Sequence, residues 1–342
     1  MANQYEAEVI IGLEDIAVIE LKSLQNMDLP SIEIIRAGFI RFIFTGKAQD
    51  LLKLRSVIAI YSIHNFDIPR PKAILGHQNF THLINLINDQ LQTWNNPTTT
   101  FGIGAAGSSS SVFERIKHEL SQTLDLNIAE DGKGELFLRF IRHKNQQGWQ
   151  VLIRLSQRPL STRPWRIQNI PGALNATVAY AMTQLANVNC KNHIVNICSG
   201  TGTILIEQSH SDFEHKLIAL DNDHLMLESA TTNIRAGGND KLITQVLGDA
   251  QQTPFKSGQF DVIYADLPFG HHIGSHDTNE WLYPAILSES ARIAKDNAVF
   301  VAITHEINLF DQSVTISDWT ITQTRQINLS GLHPQIFVLE RN

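Results

Sequence analysis

The stretch DLPFG, Asp266 to Gly270, leaves the apolar run FDVIYA on an aspartate, then a proline, then an aromatic ring. A plain turn does not need that order. A site that accepts hydrogen bonds from an amine and stacks on a flat base does. Asp266 supplies an acceptor, Pro268 stiffens the turn, and Phe269 offers a ring face. Two more carboxylates hold comparable places: Asp221 ends KLIALD, and Asp249 follows ITQVLG. Each alone reads as a capping residue after a strand. Three successive strand ends with a carboxylate argue instead for a ligand, because open parallel sheets bind at the carboxyl ends of their strands.

Beside them lies NICSGTGTILIE, Asn196 to Glu207, where a strand meets a helix. Gly200 and Gly202 let backbone pass close to a ligand. A dinucleotide fingerprint wants a third glycine where Leu205 stands, so a nicotinamide cofactor is disfavoured. No lysine follows, so this is not a phosphate-binding P-loop. Asp221 is placed to hydrogen-bond the two ribose hydroxyls of an adenosine, and Asp249 to accept from an adenine amino group.

These residues need a scaffold. From about Pro171 strands and helices alternate strictly, with near-continuous apolar strands, as in a parallel sheet covered on both faces. The chain closes with WTITQTRQINL and PQIFVLER, an expected antiparallel hairpin at the sheet edge. Upstream, YEAEVIIG, IEIIRAGFIRFIF and VIAIYSIHNF read as strands around two helices, in an α+β layer of ferredoxin-like type. IPRPKA suggests a boundary. The next segment has helices at NFTHLINLINDQLQTW and SVFERIKHELSQTL and strands at TTFGIGAA, GELFLRFIRH and GWQVLIRLS. QRPLSTRPWR is a proline-punctuated linker.

The composition, 43% apolar and 18% charged, is that of a globular protein. No apolar run is long enough to span a bilayer, no secretion signal is expected, and Cys190 and Cys198 do not suggest a disulfide framework. A cytoplasmic home is the simplest expectation. The net charge of -7 is uneven. Residues 1–166 carry 18 Lys+Arg against 16 Asp+Glu, and the remainder 9 against 18. No acid lies between Glu135 and Glu207. That interval holds Arg139, Arg142, Lys144, Arg154, Arg158, Arg163, Arg166 and Lys191, with Trp149 and Trp165 interleaved. It reads either as a track for a polyanion or as a solvated strand face and linker.

Taken together, CSGTGT, ALD, LGDA and DLPFG resemble the successive motifs of class I S-adenosylmethionine-dependent methyltransferases. DLPFG is similar to the D/N-P-P-Y/F tetrad of the amino-methylating enzymes, with Leu267 in place of the commoner first proline. The ordered run through AGG, GDAQQTPF, IGSH and LYP resembles RNA guanine-N2 methyltransferases that carry a THUMP domain. RPWRIQNIPGALNATVAYAM is similar to that family's linker and first helix, and IIGLEDIAVIEL to its N-terminal part. The resemblance covers nearly the whole chain.

It implies a Rossmann-like methyltransferase domain over 171–342 with an antiparallel edge hairpin. A linker over 158–170, a THUMP RNA-binding domain over 67–157 and a ferredoxin-like domain over 1–66 precede it. It implies S-adenosylmethionine bound by Cys198, Ser199, Gly200, Thr201, Gly202, Thr203, Asp221, Asn222, Asp249, Ala250 and Asp266. It implies transfer to a guanosine N2 amine in tRNA by Asp266, Leu267, Pro268 and Phe269. The six arginines would bind RNA. The tetrad specifies only an amine on a planar ring, so rRNA guanine N2 and DNA adenine N6 stay open, as does a degenerate RNA-binding scaffold. His271, His272, His276 and Asp277 lack fixed ligand spacing, and no metal is expected. Relatives tend to carry basic residues where this chain has GIGAAGSSSS.

Overall fold

The computed structural model describes residues 3–24, 31–143, 148–188, 192–211, 215–268, 276–329 and 331–342. They form two compact units. One comprises Met1–Val9 with Ala17–Leu160, the other Ile10–Ile16 with Ser161–Asn342.

The N-terminal chain runs β1 (Asn3–Val9), α1 (Glu14–Ser23), β2 (Glu33–Arg36), β3 (Phe39–Phe44), α2 (Ala48–Leu51) and β4 (Val57–Phe66). β1 lies between β3 and β4 and is antiparallel to both, which is the ferredoxin-like order. Gly38, at φ +78, makes the turn between β2 and β3. α3 (His77–Leu91), β5 (Thr100–Ala105), α4 (Ser111–Leu124), β6 (Asn127–Ile128), β7 (Leu136–Arg142) and β8 (Trp149–Arg154) follow. IPRPKA separates β4 from α3, yet β4 pairs directly with β8. One sheet of eight strands therefore runs β2-β3-β1-β4-β8-β7-β5-β6.

Alternation assigns its faces. In β3, Ile40, Phe42 and Phe44 are buried while Phe39, Arg41 and Ile43 take the other side. In β7, Leu136, Leu138 and Phe140 point inward, against Phe113, Ile116 and Leu120 of α4 and Leu83 and Ile87 of α3. Tyr5, Ala7, Leu21, Phe42 and Leu51 build a second core at the other end of the sheet.

The second unit contains α5 (Ala176–Leu185), β9 (His193–Asn196), α6 (Thr203–Gln208), β10 (Lys216–Asp221), α7 (His224–Ala236) and β11 (Ile243–Leu247). Then come β12 (Phe260–Asp266), α8 (His276–Ile293), β13 (Ala294–Thr304), α9 (Ile307–Thr315), β14 (Trp319–Gln326) and β15 (Gln335–Arg341). The sheet order is β11-β10-β9-β12-β13-β15-β14. The first five strands are parallel, and β15 is antiparallel to both β13 and β14. The expected hairpin is present, with its second strand seated inside the edge. From β9 the chain winds outward to β10 and β11, then returns to β12 on the other side. That reversal between β9 and β12 is the switch point at which such sheets bind ligands. Asn175 and Asp223 cap α5 and α7 by accepting from Thr177 N and Leu225 N. α9 was not expected from the sequence. Phe310, Ser313 and Val314 are buried, and Ile307 and Leu309 pack against the same core.

Candidate active site

The loop after β9 turns on two glycines in the left-handed region, Gly200 at φ +50 and Gly202 at φ +81. A side chain on either is strained, and a Cβ at Gly200 would face open space. The loop is tied to the end of β10. Gly200 N donates to Asp221 Oδ2 at 2.8 Å, and Ser199 N donates to Leu220 O at 3.0 Å. Asp221 Oδ1 accepts from Asp223 N at 3.0 Å. Asn196 Nδ2 and Ser199 Oγ are buried at the loop without a hydrogen-bond partner.

Asp249 is exposed and accepts from Gln251 N at 2.9 Å, with Ala250 buried behind it. Asn222 is exposed. Thr201 and Thr203 are buried, and their hydroxyls lie 3.2 Å apart, with Arg166 donating to Thr203 Oγ1 at 3.0 Å. The threonines therefore have backbone, rather than hydroxyls, to offer a ligand. Burial pushes the Cys198 thiol up, and the charges of Asp221, Asp266 and Asp249 push it further. One thiol feels all three strand-end carboxylates, so the structure gathers them around it. Such a lining attracts a cation and opposes a phosphate.

At the end of β12, burial raises Asp266 from an ordinary carboxylate to about 7. Leu267 is buried and its N–H donates to Ile303 O at 3.0 Å. The Pro268 carbonyl accepts from Tyr283 Oη at 2.6 Å and from Asn279 Nδ2 at 3.2 Å. Phe269, His271 and His272 lie outside the described residues. His276 opens α8, where Glu306 accepts from its ring and raises its pKa. Among the described residues no cluster of His, Cys, Asp or Glu could hold a metal ion, and no helix is long and apolar enough to cross a membrane.

The arginines divide in a way their sequence did not predict. Arg154, expected to face RNA, is buried, and its guanidinium donates to the carbonyls of Ser156, Gly134, Glu135 and Gln157. Arg163 is 7% exposed and forms a two-point ion pair with Glu207, whose side chain is fully buried. Arg139 pairs with Glu6 at 2.8 Å and lies over Phe39 and Tyr61. Arg166 donates to Leu174 O and Thr203 Oγ1. These four hold structure together. Only Arg142 and Arg158 of the six are exposed.

Sequence reasoning also missed a brace behind the glycine loop. Asn233, fully buried in α7, accepts from Gln168 N at 2.8 Å and donates to Gln168 O and to Thr201 O. It clamps the segment before α5 to the loop. An asparagine on an amphipathic helix gives no sign of this in sequence.

A Rossmann-like sheet with a glycine loop, strand-end carboxylates and a proline turn defines the class, and the comparisons agree. Residues 163–335 match the family UPF0020, RMKL-like methyltransferase domain, and the chain belongs to that family. Over 190 residues it is 30% identical to the tRNA (guanine(6)-N(2))-methyltransferase THUMP3 of Bos taurus, across 50% of this chain and 37% of the bovine protein. The chain thus covers well under two thirds of that relative. Its fold matches the crystal structure of TrmN from Thermus thermophilus with a TM-score of 0.76 at 20% identity, across 100% of both chains. It also matches SMU.472, a putative methyltransferase complexed with SAH, with a TM-score of 0.70 at 15% identity, across 98% of this chain and 97% of that one.

Proposed function

We propose that this protein transfers a methyl group from S-adenosylmethionine to the N2 amine of a guanosine in tRNA. One observation carries the reading. Asp266 ends the strand next to the glycine loop, on a turn pinned on both sides, with a carboxyl that titrates near neutrality.

The residues fit the cofactor. A sulfonium with an ammonium group is cationic, and the three carboxylates around Cys198 favour it. Gly200 leaves open space for it, and the orphaned Asn196 amide and Ser199 hydroxyl lie at the same loop. Asp221 would hold the ribose and Asp249 with Ala250 the adenine, while Cys198, Ser199, Thr201, Gly202, Thr203 and Asn222 would frame the site. When bound, S-adenosylmethionine supplies an electrophilic methyl group for in-line displacement.

The chain's own task is positioning. An exocyclic guanine amine is conjugated with its ring, so its lone pair is a poor nucleophile. Asp266 and the Leu267 carbonyl accept its two hydrogens and turn the lone pair out of the ring plane. The ionised Asp266 also takes the proton that leaves as the new N–C bond forms. Phe269 would stack on the extruded base. The names of the matched relatives favour tRNA as substrate, and among the described residues Arg142 and Arg158 are exposed cations of the acid-free interval.

The test is transfer of labelled methyl from S-adenosylmethionine to total tRNA, followed by mass spectrometry of nucleosides. N2-methylguanosine is the expected product. Label appearing only in another nucleoside, or cofactor binding without transfer to any RNA, would overturn the assignment.

A further inference from the structure

The turn that carries Asp266 is restrained on both sides. The Pro268 ring fixes φ at that residue. Its ψ is fixed by what its carbonyl binds, and that oxygen receives two donors, Tyr283 Oη at 2.6 Å and Asn279 Nδ2 at 3.2 Å. A carbonyl oxygen has two lone pairs, so the pair of bonds fills it. Tyr283 and Asn279 are both fully buried and lie four residues apart on α8, hence on one helix face.

The donors run in one direction. Tyr283 spends its only O–H on Pro268, so the Thr304 hydroxyl, 2.8 Å away, must donate to Tyr283. Thr304 Oγ1 in turn accepts from Glu306 N at 3.0 Å. Burial holds the Tyr283 phenol well above its ordinary pKa, so it remains a donor throughout the neutral range. The chain from Glu306 N through Thr304 and Tyr283 to Pro268 joins the carboxyl end of β13 to the turn after β12. On the turn's other side, Leu267 N is held by Ile303 O of the same strand. The Tyr283 ring also packs edge-on to Phe310 at 5.7 Å.

We propose that Tyr283 and Asn279 are positioning residues for methyl transfer: by saturating the Pro268 carbonyl they aim the Asp266 carboxylate and the Leu267 carbonyl at the target amine. The proposal rests on the amine-methylating reading above. Neither residue touches the reacting atoms. They act through the turn, and a small misplacement of such acceptors costs up to about a hundredfold in rate.

The experiment compares Tyr283→Phe with Phe310→Leu. The first removes one hydroxyl. The second loosens the packing against the same ring and leaves the hydroxyl bonded. Both are measured for melting temperature, for S-adenosylmethionine Kd by calorimetry, and for single-turnover methylation at saturating tRNA. Tyr283→Phe should keep its cofactor Kd within about twofold and lose about ten- to hundredfold in rate. Phe310→Leu should lose at least as much melting temperature and keep its rate within about threefold. Hydrogen exchange at the Leu267 amide reads the turn without substrate and should quicken about tenfold in Tyr283→Phe alone. A folded Tyr283→Phe protein with wild-type rate, or a rate that tracks melting temperature in both variants, overturns the proposal. If the wild type itself transfers nothing to tRNA, the functional reading fails. The exchange measurement then decides on its own, and an unchanged Leu267 amide overturns the clamp.

Discussion

Replacing Asp266 by asparagine should stabilise the protein while disabling it. Burial raises this carboxyl from 3.8 to about 7. The unfolded chain therefore loses the proton first as pH rises. Between about pH 4 and pH 7 the folded state holds a proton that the unfolded state lacks, so stability falls across that window and levels off above it. A shift of about three units at 1.36 kcal/mol each is roughly 4 kcal/mol, and the partial solvent contact of the side chain discounts it to about 2–4 kcal/mol. The Asp266→Asn protein stays neutral at every pH. It should match the wild type near pH 4 in urea denaturation and exceed it by about 2–4 kcal/mol at pH 8.

Function should move the other way. An amide keeps one acceptor oxygen for the amine but cannot take the leaving proton. Single-turnover methylation at pH 8 should fall by about 10²-fold or more, with cofactor affinity changed much less. In the wild type, kcat/KM should rise with pH through an apparent pKa near 7, because that profile reports the free enzyme's essential base. Two results would refute this reasoning. Equal stability of the two proteins at pH 8 would show that Asp266 carries no burial penalty. A folded Asp266→Asn protein with wild-type turnover would remove it as the proton acceptor. The combination, a site residue held against its own stability, is the signature of strain kept for function.

Asp221→Ala should weaken S-adenosylmethionine binding by about 2–4 kcal/mol in calorimetry, because the carboxylate ties down Gly200 and, under the proposed function, would hold the ribose; equal affinity would take it out of the ribose site. Arg163→Ala should lower stability by about 3–5 kcal/mol, since it leaves Glu207 charged and buried, and an Arg163→Met/Glu207→Leu pair should recover most of it in thermal denaturation. Arg142→Gln with Arg158→Gln should reduce tRNA affinity and flatten the log-log salt dependence by roughly one to two units of slope, while leaving melting temperature unchanged.

The site was legible where the chain announces it locally. An apolar strand that ends on a carboxylate, or a glycine loop between strand and helix, is a feature of neighbouring residues. The parallel sheet fixes where such ends must meet. What the sequence withheld was contact between residues far apart in the chain. Tyr283 sits in a helical stripe that reads as ordinary core, and nothing near it names Pro268, fifteen residues earlier, as its partner. Asn233 and Gln168 are separated by 65 positions.

The acid-free interval shows the same effect at larger scale. Eight basic residues without an acid among them suggest a surface for a polyanion, because charge along a chain is read as if each residue were neutralised by its neighbours. In the folded protein the counter-charges come from elsewhere. Glu6 on β1 answers Arg139, and Glu207 on α6 answers Arg163, 44 residues away. Arg154 needs no acid at all, since four carbonyls take its guanidinium. Arg139 and Arg163 reach across strands and helices for their partners. Among the described residues of the interval Arg142 and Arg158 are the exposed arginines, so under the proposed function their removal should change the salt dependence, whereas removal of Arg163 should change the melting temperature.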